Sequence, residues 1–200
     1  MPQPFATPDL VLASGSPYRA SLLARLGLAF HQCPPDLDEN RSPGEDSTAY
    51  VARLAEAKAL AGAHALQASP VISIGSDQVC VVDGDLMGKP GDAPAARAQL
   101  RRVSGRAITF LTAVAVHDTT TAETQTAVST DQVHFRELDD ATIERYVAAE
   151  APFDCAGGFR AEGLGITLFE AIDSSDPTSL IGLPLITVSR LLRRCGIALP

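Results

Sequence analysis

The sequence predicts an α/β fold in which a twisted sheet of mixed strand direction is flanked by helices and contains a long antiparallel hairpin. Short apolar segments alternate with segments whose apolar residues recur at helical spacing, which is typical of this fold class. Two long, imperfectly alternating segments, 106–116 and 124–135, flank a threonine-rich turn and predict the hairpin. Because no repeat or linker divides the chain, we expect a single domain over 9–200. We expect a flexible N-terminus over 1–8, before the first predicted strand.

A strand, a turn of small residues and a helix open the predicted fold. Residues 9–13 are mostly apolar and predict a buried strand, after which Ser16 suits a helix N-cap and Pro17 the first helical position. Gly27 predicts the end of this helix, and 29–33 predict a short second strand.

The remaining elements are predicted from periodicity and turn residues. They are an acidic loop over 34–46, a helix from about 47 to 64, a strand over 71–74 with an extended continuation at 79–82, a hairpin turn at 83–85, a helix from 92 or 93 to 103, the long hairpin, a helix over 139–149, a strand over 166–172 and a helix over 184–194. The apolar stripe of the helix near 47–64 is expected to consist of Val51, Leu54, Ala55 and Leu60.

The composition argues against several functional classes. The 200 residues include 16 basic and 24 acidic side chains, a net charge of −8, whereas non-specific binding to nucleic acid or to a membrane surface needs a basic face. No apolar run reaches the roughly 18 residues of a membrane-spanning helix, and the first ten residues lack the features of a secretory signal. The four cysteines show no paired spacing, so we expect reduced thiols and a cytoplasmic protein.

Two groups of residues suggest a phosphate and metal site. The turn at 14–19 joins small residues to a helix N-terminus, where free N–H groups and a partial positive charge favour phosphate, and Arg19 adds a fork-shaped donor. Carboxylates that magnesium needs beside phosphates are present at Asp36, Asp38, Glu39 and, after the strand at 71–74, Asp77. For Asp36 a solvated loop acid is the simpler interpretation.

Two further groups are candidates for ligand contacts. Lys58 and Lys89 are the two lysines among the 16 basic side chains, and each would supply a compact ammonium group instead of a planar fork. Arginine-biased composition would also leave two lysines. In the glycine-rich segment 157–163, three side chains are expected to be exposed on a loop that approaches a planar ligand: Phe159, Arg160 and Glu162.

Eight short motifs occur in the order and spacing of one family. They are ASGSPYR at 13–19, DE at 38–39, AKA at 57–59, GSDQ at 75–78, GKP at 88–90, VSG at 103–105, AGGF at 156–159 and EG at 162–163. In these motifs the chain resembles the Maf family of nucleoside triphosphate pyrophosphatases, over nearly its whole length from about residue 9 to the last helix. The resemblance implies a Maf/ITPase-like fold with two lobes around a deep cleft.

The resemblance also implies an activity and a set of site residues. The activity is hydrolysis of a nucleoside triphosphate to a monophosphate and pyrophosphate with a divalent cation, Mg²⁺ or Mn²⁺. Matched by position, Ser14 and Arg19 resemble triphosphate contacts. The positions that resemble catalytic residues are Glu39 and Asp77 as metal ligands, with Asp77 also the base for the attacking water, and Lys58 and Lys89 as stabilisers of the phosphates or the leaving group.

Three positions distinguish branches of the family. The branch that hydrolyses dTTP and UTP typically has Arg, Thr and Gln where this chain has Tyr18, Gln78 and Glu162. These three residues resemble instead the 7-methyl-GTP pyrophosphatase branch. That branch usually has Trp where this chain has Tyr18. Methylation at N7 makes guanine a cation, and a cation stacks favourably on an aromatic face. A glutamate can accept hydrogen bonds from guanine N1–H and its exocyclic amine. We therefore expect 7-methyl-GTP as the substrate.

Three alternatives stay open at the level of the sequence. Tyr18 in place of Trp also suits a dTTP/UTP pyrophosphatase or one of broader specificity. A nucleotide-binding regulator of cell division would bind without useful turnover, and a serine hydrolase would use Ser14 as its nucleophile. The expected partner is a small-molecule nucleotide, with no nucleic acid and no membrane, and family analogy suggests a homodimer.

Overall fold

The computed structural model describes residues 8–66 and 70–200, so the prediction for 1–8 lies, Pro8 apart, outside the described residues. The strands are β1 (Asp9–Ala13), β2 (His31–Gln32), β3 (Val71–Val82), β4 (Asp85–Met87), β5 (Ala107–Asp118), β6 (Glu123–Phe135) and β7 (Phe169–Asp173). The helices are α1 (Pro17–Ala24), α2 (Ser47–Ala65), α3 (Ala93–Val103), α4 (Asp140–Glu150) and α5 (Leu185–Arg194). Within these described ranges, no helix is long and apolar enough to cross a membrane.

The seven strands form one sheet of mixed direction. Its order is β2-β1-β3-β5-β6-β7, with β4 paired to β3. β1 is parallel to β2 and β3, and every other pair is antiparallel. β5 and β6 pair continuously from Ala107 opposite His134 to Asp118 opposite Glu123. The mixed α/β sheet and the long hairpin are therefore confirmed.

Two strands and one helical stripe differ from the prediction. Residues 71–82 form one uninterrupted strand, so Asp77 lies inside β3 and not after a strand. Residues 166–168 belong to a 3₁₀ helix, Leu164–Leu168, and β7 begins only at Phe169 because a short apolar run fits either conformation. On α2, Leu60 is exposed because the buried stripe continues through Lys58, two residues earlier, and turns Leu60 to the solvent side.

Two apolar cores lie on one face of the sheet, at opposite ends of β3 and β5. One core joins Ile72, Ile74, Val114 and Val116 to α1 and α5, and the other joins Cys80, Val82, Ile108 and Phe110 to α3 and α4. Between the cores the same face carries several buried or half-buried polar side chains, of which four make up what we call the polar band: Ser76, Gln78, Thr112 and Asp131. The opposite face of β3 and β5 packs against α2. The two cores correspond to the two expected lobes.

Candidate active site

All nine residues that the sequence singled out for the site line two adjoining cavities between the cores. The larger cavity, about 490 Å³, is lined among others by Ser14, Tyr18, Arg19, Glu39, Lys58, Asp77, Gln78 and Lys89. The narrower cavity, about 170 Å³, shares Tyr18, Arg19, Gln78 and Lys89 with it and adds Glu162. The structure therefore brings these residues together, and their individual roles stay predictions.

Lys58 bridges two carboxylates of the larger cavity. Its Nζ lies 2.7 Å from Glu39 Oε1 and 2.7 Å from Asp77 Oδ1. Alternation along β3 turns Asp77 toward α2, and Lys58 occupies the buried stripe of that helix with 7% of its surface exposed. One compact cation on α2 thus contacts two acids, Asp77 on β3 and Glu39 in the loop before α2.

Gly75 allows α2 to approach β3 closely enough for this bridge. A Cβ at position 75 would lie 2.1 Å from the carbonyl oxygen of Ala55 and 2.4 Å from the backbone nitrogen of Ala59. Both are main-chain atoms of α2, which cannot move aside without moving the helix. The GSDQ motif therefore combines a packing glycine with the acidic side chain that this packing presents to Lys58.

The turn between β1 and α1 presents Arg19. Ser16 is the N-cap, and its Oγ accepts a hydrogen bond from the Arg19 backbone N–H at 3.4 Å. The Arg19 Nε donates to the carbonyl oxygen of Gly182 at 2.9 Å. Burial lowers the pKa of the Arg19 guanidinium, and the two carboxylates that Lys58 bridges oppose this shift. A half-buried cation beside a helix N-terminus is suited to an anionic ligand.

Gln78 lies on the polar band with its amide nitrogen held by the protein. Nε2 lies 2.9 Å from Thr112 Oγ1, 3.0 Å from the Ser179 carbonyl oxygen and 3.1 Å from the Leu180 carbonyl oxygen. These contacts orient the amide and leave its oxygen, an acceptor, as the group that Gln78 can offer to a ligand.

The narrower cavity contains an aromatic ring beside an ion-pair network. The Arg160 guanidinium carbon lies 5.6 Å from the centroid of the Tyr18 ring, within cation–π range. Arg160 also pairs with Glu150 at 3.1 Å and with Asp154 at 3.4 Å. Burial raises the pKa of the Tyr18 hydroxyl, and the charges of Asp154 and Glu162 add to that shift while Arg160 opposes it. Acidic side chains therefore lie close to the ring.

The expectation of an exposed Phe159 is wrong. Its ring is 4% exposed and makes edge-to-face contacts with Phe110, Phe135 and Phe169, with centroids 5.0 to 5.4 Å apart. A phenylalanine between glycines is free to turn inward, and the aromatic cluster buries its large apolar surface. Arg160, expected to be exposed, is half-buried, and Glu162 is exposed at the cavity.

Sequence reasoning missed several groups at the site. The Tyr50 hydroxyl donates to the Glu39 carbonyl oxygen at 2.7 Å, and burial, with the nearby Asp77 and Glu39 charges, raises the pKa of Tyr50. Asp154 lines both cavities. Nothing in their spacing marks these residues, because they reach the site through the fold. Asp36 and Asp38, by contrast, line neither cavity.

The donor set at the larger cavity suits a hard cation that also binds phosphate. Among the described residues, no cluster of three or more His, Cys, Asp or Glu side chains could hold a metal. Glu39 and Asp77 supply carboxylate oxygens, and magnesium in proteins uses one or two carboxylates together with water and substrate phosphates. Manganese accepts the same oxygen ligands. These residues therefore fit Mg²⁺ or Mn²⁺ that binds with its nucleotide.

Comparison with known proteins gives consistent results. Residues 9–195 match the family model described as Maf-like protein. A 7-methyl-GTP pyrophosphatase of Pseudomonas aeruginosa is 47% identical over 195 residues, which cover 96% of this chain and 100% of that protein. A 7-methyl-GTP pyrophosphatase of Xanthomonas campestris pv. campestris is 51% identical over 193 residues, which cover 96% and 99%.

One solved structure supports the fold. A HAM1 protein from Coxiella burnetii superposes with a TM-score of 0.51 over 94% of this chain and 100% of that chain. The sequences are 16% identical, so this likeness concerns the fold alone.

Proposed function

Because the chain belongs to the Maf family, we propose that it is a nucleoside triphosphate pyrophosphatase that hydrolyses 7-methyl-GTP to 7-methyl-GMP and pyrophosphate. The observation that carries the proposal is the set of groups that the two adjoining cavities bring together. The cations Lys58, Lys89 and Arg19 and the acids Glu39 and Asp77 line the larger cavity, and the aromatic ring of Tyr18 and the acid Glu162 line the narrower one. This arrangement suits a polyphosphate joined to a cationic base.

The base is recognised by complementary charge. The 7-methylguanine ring is a cation, and stacking of a cation on Tyr18 contributes roughly 0.5–2 kcal/mol, depending on desolvation. Glu162 accepts hydrogen bonds from guanine N1–H and the exocyclic amine, donors that uracil and thymine do not present in pairs. Arg160 does not repel this base strongly, because its own charge is paired with Glu150 and Asp154.

The reaction is attack of water on the triphosphate, with pyrophosphate as the leaving group. Asp77 accepts the proton of the attacking water through the carboxylate oxygen that Lys58 does not hold. Lys58 orients that carboxylate, Lys89 stabilises the negative charge that develops on the departing pyrophosphate, and Arg19 contacts the triphosphate. A Mg²⁺ or Mn²⁺ ion held by Glu39 and Asp77 would neutralise phosphate charge when bound.

A substrate panel tests the proposal. We expect kcat/KM to be higher for 7-methyl-GTP than for GTP, UTP or dTTP, with one pyrophosphate released per nucleotide. Preference for a pyrimidine triphosphate would assign the protein to the other branch. Binding without turnover, unaffected by Asp77→Asn, would instead indicate a nucleotide-binding regulator. A serine hydrolase has no support here, because none of the four histidines lines either cavity as a base for Ser14.

Glu162→Gln tests the recognition of the base. The substitution removes one negative charge beside the cationic ring, so the ratio of kcat/KM for 7-methyl-GTP to that for GTP should fall, by about tenfold for roughly 1.4 kcal/mol. Glu170→Gln is the matched control, since Glu170 is exposed on β7 and lines neither cavity. An equal loss on both nucleotides would contradict a role in base selection.

The location and assembly of the protein belong to the same proposal. All four cysteines are free thiols, which suits the reducing cytoplasm. We expect no nucleic-acid partner, because the net charge is −8. A homodimer is expected by analogy with the family, and light scattering of the purified protein would test it.

A further inference from the structure

Ser179 connects the last strand of the hairpin to the nucleotide site. The side chain is fully buried, and its Oγ lies 2.7 Å from both carboxylate oxygens of Asp131 on β6 and 2.7 Å from the Asp176 carbonyl oxygen. The Ser179 carbonyl oxygen accepts hydrogen bonds from Gln78 Nε2 and Thr112 Oγ1, each at 3.0 Å. One residue thus joins three members of the polar band.

The same segment continues to Arg19. The Gly182 N–H donates to the Ser179 carbonyl oxygen at 2.8 Å, which fixes Gly182 relative to Ser179. The Gly182 carbonyl oxygen then accepts from Arg19 Nε at 2.9 Å and from Ser76 Oγ at 3.0 Å. Gly182 has φ of +117°, a conformation that glycine adopts without strain, so this carbonyl can point back to the sheet.

The hydrogen-bond geometry around Ser179 bears on the protonation of Asp131. Ser179 Oγ has one hydrogen but lies 2.7 Å from a carboxyl group and from the Asp176 carbonyl oxygen. Both contacts are favourable if Asp131 carries a proton and donates it to Ser179, which donates in turn to Asp176. Burial raises the pKa of Asp131, the Asp176 charge adds to this shift, and hydrogen bonds from Ser174 and Ser179 oppose it.

We propose that Asp131 is a positioning residue for the nucleotide site, because it seats Ser179 on the sheet and so holds the carbonyl groups that orient Gln78 and Arg19. Asp131 is 0% exposed and lines neither cavity, so it cannot act by touching a nucleotide. Asp77 lies on the opposite face of the sheet and does not depend on this segment. Loss of Asp131 should therefore weaken nucleotide binding more than it slows the chemical step.

Kinetics of three variants test this inference, which rests on the proposed function for its substrate. Asp131→Ala and Ser179→Ala should raise KM for 7-methyl-GTP about tenfold and leave kcat within about threefold of the wild-type value. Asp131→Asn should keep KM within about threefold, because its side-chain amide can donate to Ser179. Gln132→Ala is the matched control, because Gln132 follows Asp131 on β6, points to the other face and bonds Thr109. A wild-type KM in Asp131→Ala, or an Asp131→Asn variant as impaired as Asp131→Ala, would overturn the inference.

Hydrogen exchange without nucleotide separates this inference from the proposed function. The backbone amides of Ser179 and Gly182 should exchange at least tenfold faster in Asp131→Ala than in wild type or Asp131→Asn; unchanged exchange would overturn the inference whatever the substrate is. Absence of turnover in the wild type would count against the proposed function only. If Asp131→Ala does not fold, Thr112→Val serves in its place. This near-isosteric change removes another hydrogen bond to the Ser179 carbonyl oxygen and should raise KM about threefold. An unchanged KM would count against the inference.

Discussion

Lys58 has a structural role in the fold and, in the proposed function, a chemical role as well. It is buried between Glu39 and Asp77, and both acids lie 2.7 Å from its Nζ. Removal of one partner from a buried ion pair is strongly destabilising, because the remaining charge, here that of the buried Asp77, stays desolvated and uncompensated, whereas the Glu39 side chain is 56% exposed. The same ammonium group is placed to meet a phosphate in the larger cavity. A neutral residue at this position should therefore affect both stability and turnover.

Lys58→Met is expected to lower kcat/KM for 7-methyl-GTP on the order of 10²–10³-fold, the loss typical of a removed electrostatic stabiliser. It should also lower the melting temperature, because Glu39 and Asp77 would then face each other without a shared cation. Steady-state kinetics and thermal unfolding measure the two effects. Arg25→Met, at an exposed position after α1, is the control. Activity within threefold of wild type would exclude Lys58 from the mechanism.

Helix α2 is built from small residues where it meets the sheet. Its buried positions include Ala55, Ala59, Gly62 and Ala63, and Gly75 on β3 lies against the main chain of Ala55 and Ala59. Small side chains on both elements let the helix lie close to the strand. A longer side chain at this interface would move Lys58 away from Asp77, so the packing of one helix sets the distance between these two groups.

Gly75→Ala should destabilise the protein by about 1–3 kcal/mol, the usual cost of overpacking a tight interface. The added Cβ would lie within 2.4 Å of two main-chain atoms of α2 and must push the helix outward. Urea unfolding measures the free energy, and kcat should fall in the same variant because Lys58 moves with α2. Leu60→Ala, on the exposed side of the same helix, should change neither quantity appreciably. Wild-type stability of Gly75→Ala would show that the interface can relax.

At the scale of the whole molecule, two apolar cores share one face of the sheet, a third cluster joins the other face to α2, and the site lies beside the polar side chains between the first two. The polar band would be costly if its groups were unpaired, because buried polar atoms without partners lose the hydrogen bonds they make with water. Segment 174–182 supplies the partners for Gln78, Thr112 and Asp131. The segment that completes the fold over the band is therefore also the segment that orients the site.

This arrangement predicts a pH dependence of stability. The pKa of Asp131 in the folded protein is raised above its unfolded value of about 3.9. Its contribution to stability is therefore complete below about pH 3.9 and is lost as the pH rises from there through the folded pKa. Asp131→Asn has no such group, so its stability relative to wild type should increase over this window. Urea unfolding at pH 4 and pH 8 measures the change, and a relative decrease for the variant would contradict a raised pKa of Asp131.

The sequence by itself determined the order of the main helices and strands, the hairpin of β5 and β6 and nine of the residues that line the site. These features depend on local rules: alternation of side chains along strands, the N-cap at Ser16 and short motifs such as GSDQ. For Leu60 and Phe159 the exposure of one side chain was wrong, and for 166–168 the start of a strand, but the order of these helices and strands was not affected.

Only the tertiary structure decided which side chains meet. Asp131 and Ser179 are 48 residues apart, and Arg19 and Gly182 are 163 apart, so no local pattern links them. The pairing of Tyr18 with Arg160 and the placing of Asp77 inside a long strand were decided in the same way. Such contacts form because the sheet order brings distant strands together and buried polar groups must then find partners there. Burial and hydrogen bonding of this kind belong to the assembled fold, whereas helix caps and strand alternation belong to the chain.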